Sequence, residues 1–375
     1  MYDVCVITTI HQPNDARIAD RGIRLYTEAG LRTCVISTWP YTDLGVPRED
    51  WIQTRPLSSR ADRPRLQVET FRAARRVKAK VYHFHDLDFL LWGVLLHRLH
   101  GRPVVYDCHE HYPEDILSAK AWIPPLLRRP LSATVRVVEN WAVRRLHHCI
   151  VVVPSLVDRF AALGAAPVLI RNFSRADAQP DLPHARALLY AGSISEAYGS
   201  ATLLGIGRVL KGKGSPVPLI VPDRFAAPAL RESFMATIAR EGLPIEVVPQ
   251  VPARELHRLM SRGAIGLVTY EPSPTMAHGM HAKFFDYMAA GLPIVAGDLA
   301  NARGLIDSVE NGVLVTPEDA NAFVDESLRL LDDPARLERM RQNGFRAFTE
   351  RFSWRLERDK LLAYIRELGA SASAG

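Results

Sequence analysis

Short apolar runs, rich in β-branched residues, alternate with longer helical patterns along almost the whole of this chain. That alternation constrains the fold more than any other feature. The runs are "DVCVITT", "RTCVIST", "KVYHFH", "PVVYDCH", "HCIVVVP" and "PVLIRN" in the first half. In the second half they are "ALLYAGS", "VPLIVP", "IEVVPQV", "GAIGLVTY", "LPIVAG" and "GVLVTP". Runs this continuous suit strands buried on both faces, hence parallel sheets with crossover helices. The pattern pauses once, at the polar, proline-bearing "FSRADAQPDLPHAR". A chain of 375 residues is long for one core and comfortable for two domains. The reading is α/β, with one doubly wound parallel-sheet domain over 1–172, a linker over 173–186 and a second such domain over 187–350. A closing helix follows over 351–368, and "GASASAG" at 369–375 reads as a disordered tail.

No apolar run reaches the roughly 20 residues needed to span a bilayer. "MYDVCVITTI" lacks a basic leader pattern and reads as a first strand. Cys5, Cys34, Cys108 and Cys149 are scattered, without C-x-x-C spacing, and suit buried free thiols in a reducing cytoplasm. The net charge of +6 fits nucleic acid, an anionic membrane surface or phosphorylated ligands. Basic residues recur in "FRAARRVKAK" and "LLRRPLSATVRVVENWAVRRLHH". Neither stretch has zinc-finger spacing or the aromatic and basic interleaving of an RNA-binding sheet, so no nucleic-acid partner is expected. Solvated helix faces are the plain explanation. The functional one is a peripheral contact of the 122–148 region, with Trp122, Leu126, Leu127 and Trp141, on the inner face of an anionic membrane.

Open α/β sheets bind ligands at the carboxyl ends of their strands, so the residues just after the strands matter most. After the first strand comes "HQPNDARI", with His11, Asn14, Asp15 and Arg17; Asp15 suits a helix N-cap or a polar group lining a cleft. Next come "YHFHDLD", with His83, His85, Asp86 and Asp88, and "YDCHEHYPED", with Asp107, His109, Glu110, His111 and Glu114. Alternation along a strand puts His83 with His85, and Asp107 with His109 and His111, on shared faces. Imidazoles and carboxylates so placed suit a catalytic metal, or hydrogen bonding to a phosphate or sugar hydroxyl. Cys108 and His109 point to opposite faces and cannot form a nucleophile pair. "GSISE" is not a G-x-S-x-G elbow, and no G-x-G-x-x-G follows the first strand.

The second half opens with "LLYAGSISEAYGSATLL". Its strand ends at Gly192, a small polar loop runs through Ser193 and Tyr198, and a helix starts near Gly199. Glycines there let a ligand approach the backbone, and a helix start offers free N–H groups to a phosphate. "AHGMHAKFFDYMAAG" offers a second such place, with a turn at Gly279, Lys283 in the first helical turn and Gly291 at the helix end. A lysine at a helix start is electrostatically poor unless an anion is bound there. Asp286 follows on the same face. It could accept two hydrogen bonds from a vicinal diol such as ribose, or form a plain surface pair with Lys283; spacing alone leaves both open.

These residues resemble a family. "KFFDYMAAGLPIVA" is similar to the K-x-F-E-Y-M-A-x-G-x-P-V-V-A signature of retaining GT-B glycosyltransferases of family 4 (glycosyl transferases group 1). "HQPNDARI", "HFHDLD", "YDCHEHYPE" and "YAGSISEAYG" resemble, in order, other segments of that family. The resemblance implies two Rossmann-like domains facing a central cleft, with the last helix crossing back to the first domain. It implies an N-terminal acceptor-side domain and a C-terminal nucleotide-sugar-binding domain. The activity implied is transfer of a sugar from a nucleotide-diphosphate donor, of UDP or GDP type, to an acceptor hydroxyl with retained anomeric configuration. Neither metal nor cofactor is implied, because helix starts and basic side chains stabilise the leaving diphosphate. The acceptor would be a glycan, a lipid-linked sugar or a small aglycone, in polysaccharide or natural-product biosynthesis.

By the same resemblance Asp286 takes the place of the ribose-binding Glu, Lys283 that of a nearby lysine, and His109 that of a histidine near the transferred sugar. Asp15, His109 and Glu110 are the catalytic candidates. Gly192, Ser193, Tyr198, Gly199, His278, Gly279, Met280, His281 and Lys283 are the diphosphate and sugar candidates, and His11, His85, Asp86 and Glu271 are further cleft candidates. Two positions depart from the family. His278 stands where many relatives carry a sugar-contacting Glu, and Tyr198 stands where an Arg or Lys is usual, leaving Lys283, His281 or Arg303 to supply the charge. The competing readings are a metal-dependent hydrolase using His83, His85, His109 and His111, and a catalytically silent nucleotide-sugar-binding subunit.

Overall fold

The computed structural model describes residues 1–10, 15–56, 59–118, 123–174, 178–179, 181–251, 255–273, 276 and 281–374. They form two compact units: Met1–Asn172 with Arg355–Gly375, and Phe173–Trp354.

The first unit is built on seven parallel strands: β1 (Tyr2–Thr8), β2 (Thr33–Ser37), β3 (Trp51–Gln53), β4 (Ala79–Phe84), β5 (Val104–Cys108), β6 (His148–Val151) and β7 (Ala166–Leu169). Their order is β3-β2-β1-β4-β5-β6-β7, so the winding reverses between β1 and β4. The six apolar runs of the first half each supply one strand. The seventh, "WIQ" of β3, is a three-residue edge strand, too short to show a periodicity. Crossover helices include α1 (Arg63–Arg76), α2 (Leu90–His100), α3 (Tyr112–Ser118) and α4 (Pro125–Leu146). Tyr82, Phe84, Tyr106 and Cys108 enter the core on one face of the sheet. Strand alternation therefore sends His83 and Asp107 to the other face.

The second unit has six parallel strands: β8 (Leu188–Leu189), β9 (Leu219–Pro222), β10 (Ile245–Val248), β11 (Ile265–Val268), β12 (Ile294–Gly297) and β13 (Gly312–Val315). In the order β10-β9-β8-β11-β12-β13 the reversal falls between β8 and β11. Apolar clusters cover both faces of this sheet. The helices that concern the site are α5 (Ser200–Gly212) and α6 (Ala282–Ala289). Tyr287 fixes α6 to the sheet: its hydroxyl shares its one hydrogen between the carbonyls of Leu267 (3.0 Å) and Leu189 (3.2 Å) and accepts the Ala191 N–H (2.8 Å). Gly266 makes room for that ring, since a Cβ there would meet it at 2.6 Å.

The segment expected as a linker lies along the second unit where it is described. Phe173 belongs to its core, Gln179 N–H donates to Ala289 O (2.9 Å), and His184 donates to Gly263 O (2.9 Å). The expected disordered tail is corrected. The last helix, α7, runs Trp354–Ala374, because Leu361, Ile365, Leu368 and Gly369 stay in contact with the first unit. A Cβ on Gly369 would lie only 3.8–4.0 Å from Lys80 and Val81, and the alanines beyond it favour helix. All four cysteines are buried and free. No helix among the described residues is long and apolar enough to cross a membrane.

Glu357 fastens α7. Its buried carboxylate accepts the Arg171 backbone N–H (3.1 Å) and guanidinium (2.9 Å) and the Lys360 ammonium (3.2 Å). Removing the carboxylate leaves a part-buried backbone donor without this acceptor and breaks a half-exposed ion pair, so Glu357→Ala should lower unfolding free energy by about 1–3 kcal/mol. Urea unfolding checks this, and an unchanged midpoint would show that the helix is held by its apolar face alone.

Candidate functional site

In the first unit the carboxylate of Asp107, at the end of β5, gathers the polar groups. Arg17 donates to both of its oxygens (2.7 and 3.3 Å) and also to Ile170 O (3.2 Å) and Asn172 Oδ1 (2.7 Å). His83 Nε2 lies 3.2 Å from Asp107 Oδ2, with Tyr26 Oη 2.9 Å from its Nδ1. His109 Nδ1 lies 3.3 Å from Asp107 Oδ1. Burial alone would push the Asp107 carboxyl up, but Arg17 and the histidine N–H groups hold it well below the usual carboxylate range. A donating Nδ1–H leaves His109 Nε2 as an acceptor.

His85 lies between His83 and His109, its ring tilted against theirs at separations of 4.4 and 5.8 Å. Its Nδ1 is 3.3 Å from Asp107 Oδ2 but off the hydrogen-bonding direction, and neither ring nitrogen has a hydrogen-bond partner. Burial, then His83, push its pKa down to about 3. The expected faces are therefore found for His83, His85, Asp107 and His109. His111 is elsewhere, its Nε2 3.1 Å from Ser155 Oγ, because β5 ends at Cys108 and the chain turns into α3. Cys108 faces away, toward Glu139 and Glu110 O.

Two other candidates of this unit hold backbone. Asp86 accepts N–H groups of Thr9 and Ile10 and the Thr9 hydroxyl, anchoring the loop after β1. Asp15 accepts the Arg17 N–H (2.8 Å) as a local helix cap. Glu110 is half-buried just past β5. His11 lies outside the described residues.

In the second unit the loops after β8 and β11 meet at the winding reversal. Gly199 has φ +81°, and a Cβ there would meet Thr269 O at 1.8 Å, so only glycine fits. Thr269 Oγ1 donates to Tyr198 O (2.9 Å) and Glu271 N–H to Ala197 O (3.1 Å), which locks the loop that leads into α5. Tyr190 Oη donates to Ser193 O (2.8 Å).

Lys283, in the first turn of α6, is only 8% exposed. Its ammonium lies over the rings of Tyr190 (3.8 Å), Tyr270 (4.7 Å) and Tyr198 (5.7 Å) and has no hydrogen-bond partner among the described residues. Gly192 makes room for it; a Cβ there would be 2.6 Å from Nζ. Burial pushes the Lys283 pKa well down; Asp286 opposes that shift and Arg224 adds to it. The surface Lys–Asp pair is thus excluded, because Lys283 is buried. Asp286 is half-buried one turn on. His281 occupies the N-cap position of α6 without a side-chain cap bond, packs on Tyr270 (4.4 Å), and is pushed down to about 4 by burial and by Lys283. Glu271 is raised to about 7, by burial and by a hydrogen bond shared with Glu318. Arg303 is paired with Asp298 and 60% exposed. His278, Gly279 and Met280 lie outside the described residues.

Sequence reasoning missed the Arg17–Asp107 pair, whose members are 90 positions apart. It also missed Arg224 and the rings of Tyr190 and Tyr270. The tyrosines had a signal, since each closes an apolar run at a strand end.

Residues 1–175 match the family model described as glycosyl transferase 4-like domain, and residues 206–333 match glycosyl transferases group 1. Glycosyltransferase 1 domain-containing protein 1 of Xenopus tropicalis is 27% identical over 125 residues, 33% of this chain and 34% of that one, so the chain spans about a third of its length. Glycogen synthase of Mycobacterium tuberculosis is 25% identical over 310 residues, 77% of this chain and 69% of that one. Among solved structures, sucrose-phosphate synthase from Thermosynechococcus elongatus shares the fold with TM-score 0.72 at 17% identity, covering 99% of this chain and 100% of that one. Anabaena HepE in complex with UDP and glucose gives 0.70 at 16%, covering 98% and 100%.

Native His85 refuses a proton down to about pH 3, whereas an unfolded histidine takes one near pH 6.5. Its depressed pKa is without effect above that value. As pH falls below it, stability is lost at about 1.4 kcal/mol per unit. The stability gap between wild type and His85→Asn should therefore narrow by about 2 kcal/mol from pH 7 to pH 5. Urea unfolding at both values tests this; a constant gap would mean that native His85 is protonated or solvated.

Proposed function

The chain belongs to the group 1 glycosyltransferases of GT4 type, family models matching both of its halves, and from that premise we propose a retaining, metal-independent transferase. It would move a sugar from a nucleotide-diphosphate donor, of UDP or GDP type, to an acceptor hydroxyl. The observation that carries this is the Lys283 ammonium, buried, without a hydrogen-bond partner among the described residues and aimed past Gly192 between three tyrosines. A buried ammonium costs several kcal/mol unless it is paired, and a diphosphate supplies the missing partner. The starts of α5 and α6 add N–H groups and positive dipole ends. Preorganised donors of this kind stabilise the charge that grows on a leaving diphosphate. Arg224 lies close enough to disturb Lys283 and takes over the charge absent at Tyr198. Asp286 would accept both hydroxyls of the donor ribose.

His109, with Nδ1 held by Asp107, is assigned to a sugar hydroxyl. Glu110 and Asp15 stay as weaker catalytic candidates, Asp15 because it already caps a helix. The chemistry fits polysaccharide or natural-product assembly in the cytoplasm, with a glycan, lipid-linked sugar or small aglycone as acceptor.

Of the four histidines of the hydrolase reading, His83, His85, His109 and His111, the first two lie with Asp107 so that their ligand atoms fall within 4.8 Å of one another. Those groups fit a cation poorly. Both Asp107 oxygens already accept from Arg17, His83 accepts from Tyr26 on Nδ1 and donates from Nε2 to Asp107, and an added cation would face the guanidinium.

A thermal-shift titration with UDP, GDP, TDP and ADP in EDTA tests the proposal. One diphosphate should stabilise the wild type, by about 2.7 kcal/mol at a hundredfold excess over its dissociation constant. Asp286→Ala and Lys283→Met should lose most of that gain. Stabilisation by zinc alone would overturn the reading in favour of the hydrolase; binding without turnover of any sugar donor would favour the silent subunit.

A further inference from the structure

Large hydrophobic side chains exposed among the described residues are not scattered. Apart from Met1 they all fall between Leu91 and Trp141. On α2, Leu91, Leu95 and Leu99 recur every four residues and form one stripe. On α4, Leu127, Leu131 and Trp141 share a face, flanked by Leu126, 91% exposed, and Val137, 69% exposed. The opposite face of α4 is buried through Ser132, Glu139, Ala142, Val143 and Leu146. α2 and α4 pack against each other and both lie on β5, so the two apolar stripes belong to neighbouring helices on one side of the sheet.

The charge of these two helices is mostly of one sign, although Arg136 of α4 pairs with Glu114 of the neighbouring α3 (2.9 Å). α2 carries no acid, and the only acid of α4, Glu139, is fully buried against Tyr106 and Arg159. Arg98, Arg129, Arg144 and Arg145 are exposed and make no ion pair among the described residues, Arg145 lying over the Trp141 ring at 5.4 Å. Elsewhere on the surface, arginines such as Arg208, Arg231 and Arg262 are paired with carboxylates. A second copy is a poor occupant of this face, since a two-fold contact would set the same arginines against one another. Leucines and a tryptophan edged by unpaired arginines suit a layer with an apolar interior beneath anionic phosphates.

We propose that the first unit docks on an anionic lipid bilayer through the exposed face of α2 and α4. The leucines and Trp141 enter the boundary between headgroups and acyl chains, and Arg98, Arg129, Arg144 and Arg145 meet lipid phosphates. Docking needs no donor and stands whether or not the transferase reading does. Given that reading, it selects a lipid-carried acceptor over a soluble one.

The test is co-sedimentation of the full chain with vesicles of mixed phosphatidylglycerol and phosphatidylcholine, and with phosphatidylcholine alone. The mixed vesicles should bind the protein at least about tenfold more tightly, and raising NaCl from about 0.1 M to about 0.5 M should release much of it. Leu127→Glu with Leu131→Glu, and separately Arg129→Glu with Arg144→Glu, should each cut binding about tenfold or more. Unchanged melting temperatures would show that these exposed substitutions leave the fold intact. Brominated lipid should quench the wild type more than Trp141→Phe. The proposal is overturned if the mixed vesicles bind nothing or if both double variants bind like wild type. It is equally overturned if the wild type is a dimer that Leu127→Glu with Leu131→Glu splits.

Discussion

The carboxyl edge of the second sheet is arranged around one desolvated ammonium. Lys283 needs Gly192 for room, Tyr190, Tyr198 and Tyr270 for walls, and Tyr287 to hold its helix against β8 and β11. Contacts with aromatic faces return about 0.5–2 kcal/mol each, while desolvating an ammonium costs several. The rings therefore soften the cost and leave a remainder that an anion can remove. The arrangement is poised for a ligand rather than complete in itself.

The first unit solves a similar problem without a ligand. Asp107 is as buried as Lys283, but Arg17, His83 and His109 satisfy its oxygens. Its charge is thereby fixed, and so is the orientation of His109. Asp86 likewise spends its carboxylate on the backbone of the loop after β1. Buried acids here serve as anchors, and the group they orient is His109, just past the end of β5.

How far the sequence disclosed this depends on the range of each interaction. Strands covered on both faces announce themselves as unbroken apolar runs, so twelve of thirteen strands were legible and only "WIQ", at an edge, was not. Two-residue alternation placed His83 with His85 and Asp107 with His109, since that rule needs only a strand. It failed at His111 because the strand had ended. Spacing put Lys283 and Asp286 on one helix face, yet could not reveal that Lys283 is buried, because its walls come from residues 190, 198 and 270. The Arg17–Asp107 pair was invisible for the same reason, and the tail was misread because its helix depends on contact with Lys80 and Val81.

Tyr198 shows why a departure from a family pattern need not be a loss. A cation at that position would stand beside the Lys283 ammonium in the same dry pocket and, with no ligand bound, would raise its electrostatic cost. A tyrosine closes the wall instead, and its backbone carbonyl is held by Thr269 at 2.9 Å. The nearby Arg224, which acts on Lys283 electrostatically, is exposed, so water offsets most of its desolvation. One dry cation and one wet one cost the protein less than two dry ones would.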